Sequence, residues 1–113
     1  MAFIERHQCR VDVDGITRAD SVELELWCDH KSDPRYPEVN AETPWLGKIF
    51  DPPESDVIRE GQACTIVRID GAKAECRLLK IAKHLPGADV HYVPENVTPG
   101  KVWVFLGAEP FTR

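Results

Sequence analysis

The chain has 113 residues, of which 42% are apolar and 29% are charged, and its formal net charge is −5. This balance is typical of a single globular domain, here taken as residues 1–113, and it excludes an extended disordered chain. The excess of 19 acidic over 14 basic residues also argues against nucleic acid as the partner, because proteins that bind phosphates usually present a basic surface.

The spacing of the cysteines and the composition of the first residues predict the cellular compartment. The four cysteines contain no Cys-x-x-Cys pair, and they stand at Cys9, Cys28, Cys64 and Cys76. The first residues carry charges and form no apolar run, so we expect no secretory signal. No stretch approaches the roughly 18 apolar residues of a membrane span. We therefore expect a cytoplasmic protein with free thiols, no membrane partner and no cofactor.

Two strands are predicted at the beginning of the chain. Residues 3–13 alternate between apolar and polar side chains, most cleanly in their second half, which predicts a half-buried strand. An Asp-Gly pair then begins a predicted turn or short loop over 14–20. The alternation resumes over 21–28, so a second strand, antiparallel to the first, is predicted.

A long loop follows at 30–44, with three prolines and no periodicity. Loops of this length inside a compact domain usually have a function. Arg35 and Tyr36 lie in the loop, Trp45 ends it, and Trp27 lies on the polar face of the second strand. Since Arg, Tyr and Trp are enriched in interface hot spots, these four residues are the predicted partner-binding site. In the alternative interpretation, Tyr36 and Trp45 fold back over an open barrel end.

The next segment predicts a short strand at 45–50 and then a short helix. Asp51 resembles a helix N-cap, prolines follow it, and Glu54 stands three residues later, as in a capping box. Gly61 would end this helix. Its few apolar residues limit it to one or two turns.

The segment 62–81 has two interpretations. Asp70-Gly71 lies between two apolar-bearing runs, which is a strong hairpin signal. The helix formers of 72–85 favour a helix instead. We favour a hairpin with a two-residue turn, because its pairing sets large side chains opposite small ones along one face. That register puts Cys64 and Cys76 on opposite faces.

The last part of the chain predicts a short strand at 90–93 and a strand at 101–106. In the latter, aliphatic residues alternate with Trp103 and Phe105. Apolar residues on both faces indicate a strand covered on both sides, or one that offers its aromatic rings to a partner. An uncovered face with Trp103 and Phe105 would favour a homodimer.

One set of side chains has the composition of a zinc site. If Cys9 lies opposite Cys28 in the first hairpin, His7 lies opposite His30, and two cysteines and two histidines share one face. Parallel side chains on a flat sheet do not converge tetrahedrally, so the alternative is that the cysteines are core residues and the histidines lie at the rim. We predict no metal site.

These elements predict a mainly β fold, namely a small antiparallel β-barrel, roll or sandwich of about seven short strands with at most one or two short helices. The alternative is an α+β fold with a helix at 72–85. The predicted function is non-catalytic binding of a protein partner through the 30–45 loop and exposed aromatic residues. Two alternatives stay open: a small-molecule binder or minor enzyme using the barrel mouth, and an OB-like binder of single-stranded nucleic acid that stacks bases on Trp27, Trp45 and Trp103.

Overall fold

Six antiparallel strands form a closed barrel in the computed structural model, which describes residues 3–28, 43–84 and 98–113. The order around the barrel is β1-β2-β3-β6-β5-β4. The mainly β prediction is confirmed, and of the three predicted architectures the barrel is the observed one. The predicted strand at 90–93 lies outside the described residues. The strands are β1 (Phe3–Val13), β2 (Ile16–Cys28), β3 (Leu46–Phe50), β4 (Ala63–Arg68), β5 (Lys73–His84) and β6 (Gly100–Gly107).

A tight turn joins β1 to β2. Asp14 and Gly15 have φ values of 53° and 76°, and Val13 lies opposite Ile16. Positive φ at both central residues is the type I′ geometry, whose twist matches that of the flanking strands. The predicted loop at 14–20 is therefore wrong in extent, because the turn uses two residues and β2 begins at once.

The β4–β5 hairpin is confirmed, but its predicted register is wrong by one residue. The turn has three residues rather than two: the Arg68 N–H donates to the Ala72 carbonyl at 2.7 Å, and Gly71 takes a φ of 90°. Cys64 consequently lies opposite Cys76 instead of on the other face. A one-residue slip exchanges the two faces of a strand, which explains the error. The alternative helix at 72–85 is wrong over the described residues, because β5 continues to His84.

Asp70 holds this turn in place. Its carboxylate accepts the Ala72 N–H at 3.0 Å and also contacts the guanidinium groups of Arg68 and Arg113. The backbone hydrogen bond and then the two cations hold the pKa of the Asp70 carboxyl well below its usual range. The turn is thereby tied to the end of the chain.

The predicted helix between β3 and β4 is wrong. Residues 51–62 form an irregular connection in which the Gln62 side chain accepts the Arg59 N–H at 3.2 Å. Ile58 is the buried residue of this segment, and it packs into the core. One buried side chain does not offset the cost of nucleating a helix, so the segment closes the barrel end where β3 finishes without forming one.

Trp45 closes the opposite end of the barrel. It is 2% exposed, and its indole N–H donates to the Glu109 carbonyl at 2.7 Å. A Cβ added to Gly107 would lie 2.6 Å from the indole ring, and one added to Gly47 would lie 2.9 Å from it. The ring therefore rests directly on two glycine backbones. Phe111, from the tail after β6, packs on it with a centroid distance of 4.9 Å.

β6 is covered on both faces, as one of the two interpretations of its sequence predicted. Trp103 and Phe105 point into the core, where their rings meet edge to face with centroids 6.4 Å apart. On the other face, Val102 and Val104 are fully buried in a second apolar cluster together with Leu46 and Ala82. We call this second group the outer cluster.

We predict that Gly107→Ala destabilises the protein by about 1–3 kcal/mol, the usual cost of overpacking a core. The added methyl group would collide with an indole ring that is pinned by its own hydrogen bond. Urea unfolding followed by tryptophan fluorescence measures the loss.

The matched comparison is the double variant Trp45→Leu/Gly107→Ala. Because a leucine leaves room for the methyl group, the two changes together should cost clearly less than the sum of their separate effects. If the two losses of stability are strictly additive, the Trp45 ring is not the reason why a glycine is required at position 107.

Candidate functional site

The structure separates the four residues predicted to bind a partner. Arg35 and Tyr36 lie outside the described residues. Trp45 is buried at the barrel end, which agrees with the alternative in which it folds back over the barrel. Trp27 is half-buried on the outer wall of β2. Of the residues described, Trp27 is therefore the one around which a contact surface can be built.

The surface around Trp27 combines an aromatic ring, an aliphatic side chain and charges. Ile4 lies opposite Trp27 in the β1–β2 pair, and Arg6 lies opposite Glu25. Ile4 is 39% exposed, which is high for a large apolar residue on a strand. We call the group Ile4, Arg6, Glu23, Glu25 and Trp27 the Trp27 surface.

Hydrogen bonds and ion pairs fix the side chains of the Trp27 surface. The Trp27 indole N–H donates to the Glu25 carboxylate at 2.8 Å. The Arg6 guanidinium lies 3.6 Å from the same carboxylate and 3.8 Å from that of Glu23. Because these distances are long for hydrogen bonds, Arg6 retains donor capacity toward a further acceptor.

A buried lysine supports the ring from below. Lys48 of β3 is fully buried, and its ammonium group lies 4.7 Å from the centroid of the Trp27 ring. A cation over an indole face is attracted by the π-electrons, and the attraction grows when water is excluded. The backbone of Lys48 also pairs with Glu25, whose carboxylate holds the indole N–H. Two neighbouring strands therefore set the position of one aromatic ring.

Lys48 was missed by the sequence analysis, although a signal was present. One face of β3 carries Leu46, Lys48 and Phe50, so a lysine stands between two apolar residues. Such a lysine is either buried with a partner or marks an exposed face. The structure shows that Lys48 is buried, with its ammonium group against the ring of Trp27.

The register that would assemble a zinc site is not the observed one. Cys9 lies opposite Val22, while Cys28 lies opposite Phe3, six residues away along β1. His30 lies outside the described residues. Within residues 3–28, 43–84 and 98–113, no three His, Cys, Asp or Glu side chains gather as metal ligands would.

Three thiols lie in the core instead. Cys9, Cys64 and Cys76 are free and at most 4% exposed. Burial raises the pKa of Cys9 to about 12 and that of Cys64 to about 11, and it raises the pKa of the Cys76 thiol further. A thiol that stays protonated at neutral pH is a poor nucleophile, so these three cysteines act as small apolar core residues.

Comparisons with known proteins add no relative. No protein-family model, no curated protein and no solved structure matches this chain.

We predict that the buried thiols make the protein less stable at alkaline pH. Above an unfolded-state pKa of about 8.5, the unfolded chain loses thiol protons that the native state keeps. Each such thiol should lower the free energy of unfolding by about 1.4 kcal/mol per pH unit, until its native pKa is reached. Urea unfolding between about pH 9 and about pH 10.5 measures the slope.

Cys64→Ala isolates the effect of one thiol. In this variant the free energy of unfolding should fall less steeply with pH, by the contribution of one thiol proton. Thr65→Ala, at the next position of β4, should keep the wild-type pH dependence. Identical slopes in all three proteins would contradict the assignment of the raised pKa to buried thiols.

Proposed function

We propose that this chain is a non-catalytic binding module that recognises a protein partner through the Trp27 surface and the predicted 30–45 loop. The observation that carries the proposal is the ring of Trp27, held on the outer wall by Glu25 and Lys48 beside the exposed Ile4 and Arg6. Trp and Arg dominate the energies of protein interfaces. A ring fixed before binding loses little entropy on binding, so the arrangement suits recognition.

The barrel interior supports a role for the outer wall. Core side chains fill the interior, Trp45 and the tail close one end, and the connection bearing Ile58 closes the other. A small molecule in the barrel mouth would have to displace this packing. That alternative is therefore less well supported than binding on the outside.

The tryptophans also favour a protein partner over single-stranded nucleic acid. Trp45 is 2% exposed and Trp103 is 3% exposed, so neither presents a ring face on which a base could stack. An OB-fold barrel has five strands, whereas this barrel has six. Two of the three tryptophans predicted to stack on bases are thus buried in the core.

The proposed setting is the cytoplasm. The free thiols of Cys9, Cys64 and Cys76 support this, because a reducing compartment keeps cysteines in that state. The part of the chain that the structure describes contains no helix long and apolar enough to cross a membrane.

The proposal is tested by affinity capture from a lysate of the source organism, with quantitative mass spectrometry. Trp27→Ala and Glu23→Lys alter the Trp27 surface, and Glu75→Lys is the matched control, since it makes the same charge reversal at an exposed strand residue across the barrel. We expect a protein that wild type and control recover equally and that both surface variants recover at least about tenfold less, as loss of a hot-spot residue predicts.

Thermal unfolding and near-ultraviolet circular dichroism of the same variants show whether they are folded. Glu23→Lys keeps the result interpretable if Trp27→Ala loosens the wall around Lys48, because the Glu23 side chain is 59% exposed. Equal recovery by folded wild type, Glu23→Lys and Glu75→Lys would overturn the proposal.

A further inference from the structure

Along one side of β1, the described residues supply a neighbouring strand for only part of its length. β1 pairs with β2 along its whole length, but with β4 only from Cys9 to Asp12. The last backbone contact on the β4 side is the Ile69 N–H, which donates to the Gln8 carbonyl at 2.8 Å. Among the described residues, the β4 side of residues 3–7 has no neighbouring strand. We call this stretch the open edge.

The backbone groups that the open edge presents follow from the pleat. In an antiparallel strand, the N–H and C=O of successive residues point alternately to the two sides. The Gln8 carbonyl points to the β4 side, so the backbone groups of Ile4 and Arg6 do so too. Those of Glu5 and His7 point to β2. The open edge therefore offers a short ladder of donors and acceptors in register with one another.

Devices that usually protect an edge strand are few here. Residues 3–8 contain no proline, and the irregularities of the β1–β2 pair begin after Cys9. Charged side chains are the remaining protection, notably that of Arg6, which is 61% exposed. Unpaired edges of this kind accept an added strand from another chain.

A hollow lies where the open edge meets the β4–β5 turn. It has a volume of about 380 Å³ and is lined by residues that include Gln8, Arg10, Ser21 and Ile69. Ser21 takes a φ of 54° at an irregularity of β2, and Ile69 is 81% exposed. A strand added to the edge would end beside this hollow, which has room and apolar surface for one of its side chains.

We propose that the open edge of β1 binds an extended segment of the protein partner as an added strand, with an acidic residue of that segment beside Arg6. This inference rests on the proposed function and names the mode of binding. Arg6 has donor capacity beyond its long contacts with Glu23 and Glu25. Ile4, two residues away on the same face, favours an apolar residue at the matching position.

A second copy of this chain does not fit the edge. Two copies related by a two-fold axis would pair their β1 edges antiparallel. The two registers that use the whole edge place Glu5 opposite Glu5 or Arg6 opposite Arg6. Like charges directly opposite each other are destabilising. The occupant is therefore a segment of different sequence, and the spare donor capacity of Arg6 favours an acidic residue opposite it.

The test uses synthetic peptides with alternating valine and threonine and a central Glu, Lys or Gln. Binding is followed by amide NMR and hydrogen exchange of the full chain. We expect the Glu peptide to slow exchange of the Ile4 and Arg6 amides at least about tenfold, since both would gain hydrogen bonds. It should also bind about fivefold more tightly than the Lys peptide, as a cross-strand charge pair predicts.

Two variants sharpen the test. Arg6→Glu should reverse the preference toward the Lys peptide, while Lys73→Glu, an exposed charge reversal on β5, should leave it unchanged. Ile4→Pro removes one donor that faces away from β2, a position where an edge strand tolerates proline, and should abolish binding. If Ile4→Pro fails to fold, the change in peptide preference caused by Arg6→Glu still tests the proposal.

The outcomes distinguish this inference from the proposed function. Equal binding of Glu and Lys peptides, or unchanged exchange at Ile4 and Arg6, would overturn it. If Glu23→Lys nevertheless abolishes capture of the partner, the Trp27 surface stands and only the added strand fails. Concentration-dependent protection of the same amides without peptide would overturn it in favour of a second copy.

Discussion

Trp45 joins three parts of the barrel that are distant in sequence. Its indole ring rests on the backbones of Gly47 in β3 and Gly107 in β6, and its N–H binds the carbonyl of Glu109 in the tail. Fully burying a tryptophan removes roughly 150–250 Å² from water, worth about 4–6 kcal/mol as an upper estimate. The ring packs over the β3–β6 pair at this end of the barrel and covers the core there.

The tail that Trp45 anchors also acts on the other half of the barrel. Thr112 exchanges two backbone hydrogen bonds with Lys73 at the start of β5, and Arg113 reaches Asp70 in the β4–β5 turn. Because the tail follows β6 directly, one aromatic residue links β3, β6 and the β4–β5 hairpin. The tertiary role of Trp45 is therefore closure of the barrel.

Because the barrel is filled and closed, the partner proposed for this chain would contact its outer wall. On that wall, burial is uneven: the outer cluster is buried, while Ile4 and Arg6 of β1 are exposed. Lys48 connects the two regions, because it is buried and lies under the half-exposed ring of Trp27. The buried ammonium group of Lys48 thus joins the outer cluster side of β3 to the aromatic ring of β2.

The unequal lengths of neighbouring strands create the open edge. β1 has 11 residues and β4 has 6, so closing the barrel consumes only part of one side of β1. Closure needs the four pairs from Cys9 to Asp12. The residues of β1 before Gln8 extend past the turn at Ile69, and within the described part of the chain no strand pairs with them on that side. Ile4 and Arg6 belong both to this edge and to the Trp27 surface.

Local sequence patterns were sufficient to predict the described strands and the positions of two hairpin turns, but not the length of either turn. Period-two alternation located β1 and β2, because alternate side chains of a half-buried strand face the core. Asp-Gly pairs located two hairpin turns, because these residues adopt positive φ readily. The prediction of a short helix at 51–61 was wrong, because a capping signal does not supply the apolar face that a helix needs for packing. Trp27 was identified as a candidate from its residue type and its place on a strand.

The strand registers, the burial of particular side chains and their neighbours became known from the folded structure. One extra residue in the β4–β5 turn exchanged the faces of β4 and brought Cys64 opposite Cys76. Tertiary contacts also set the register that separates Cys9 from Cys28. They bury Trp45 beneath the tail and place Lys48 against the ring of Trp27. These features depend on contacts between residues far apart in the chain, and the side chains of a strand change face with each residue of shift, so no local pattern specifies them.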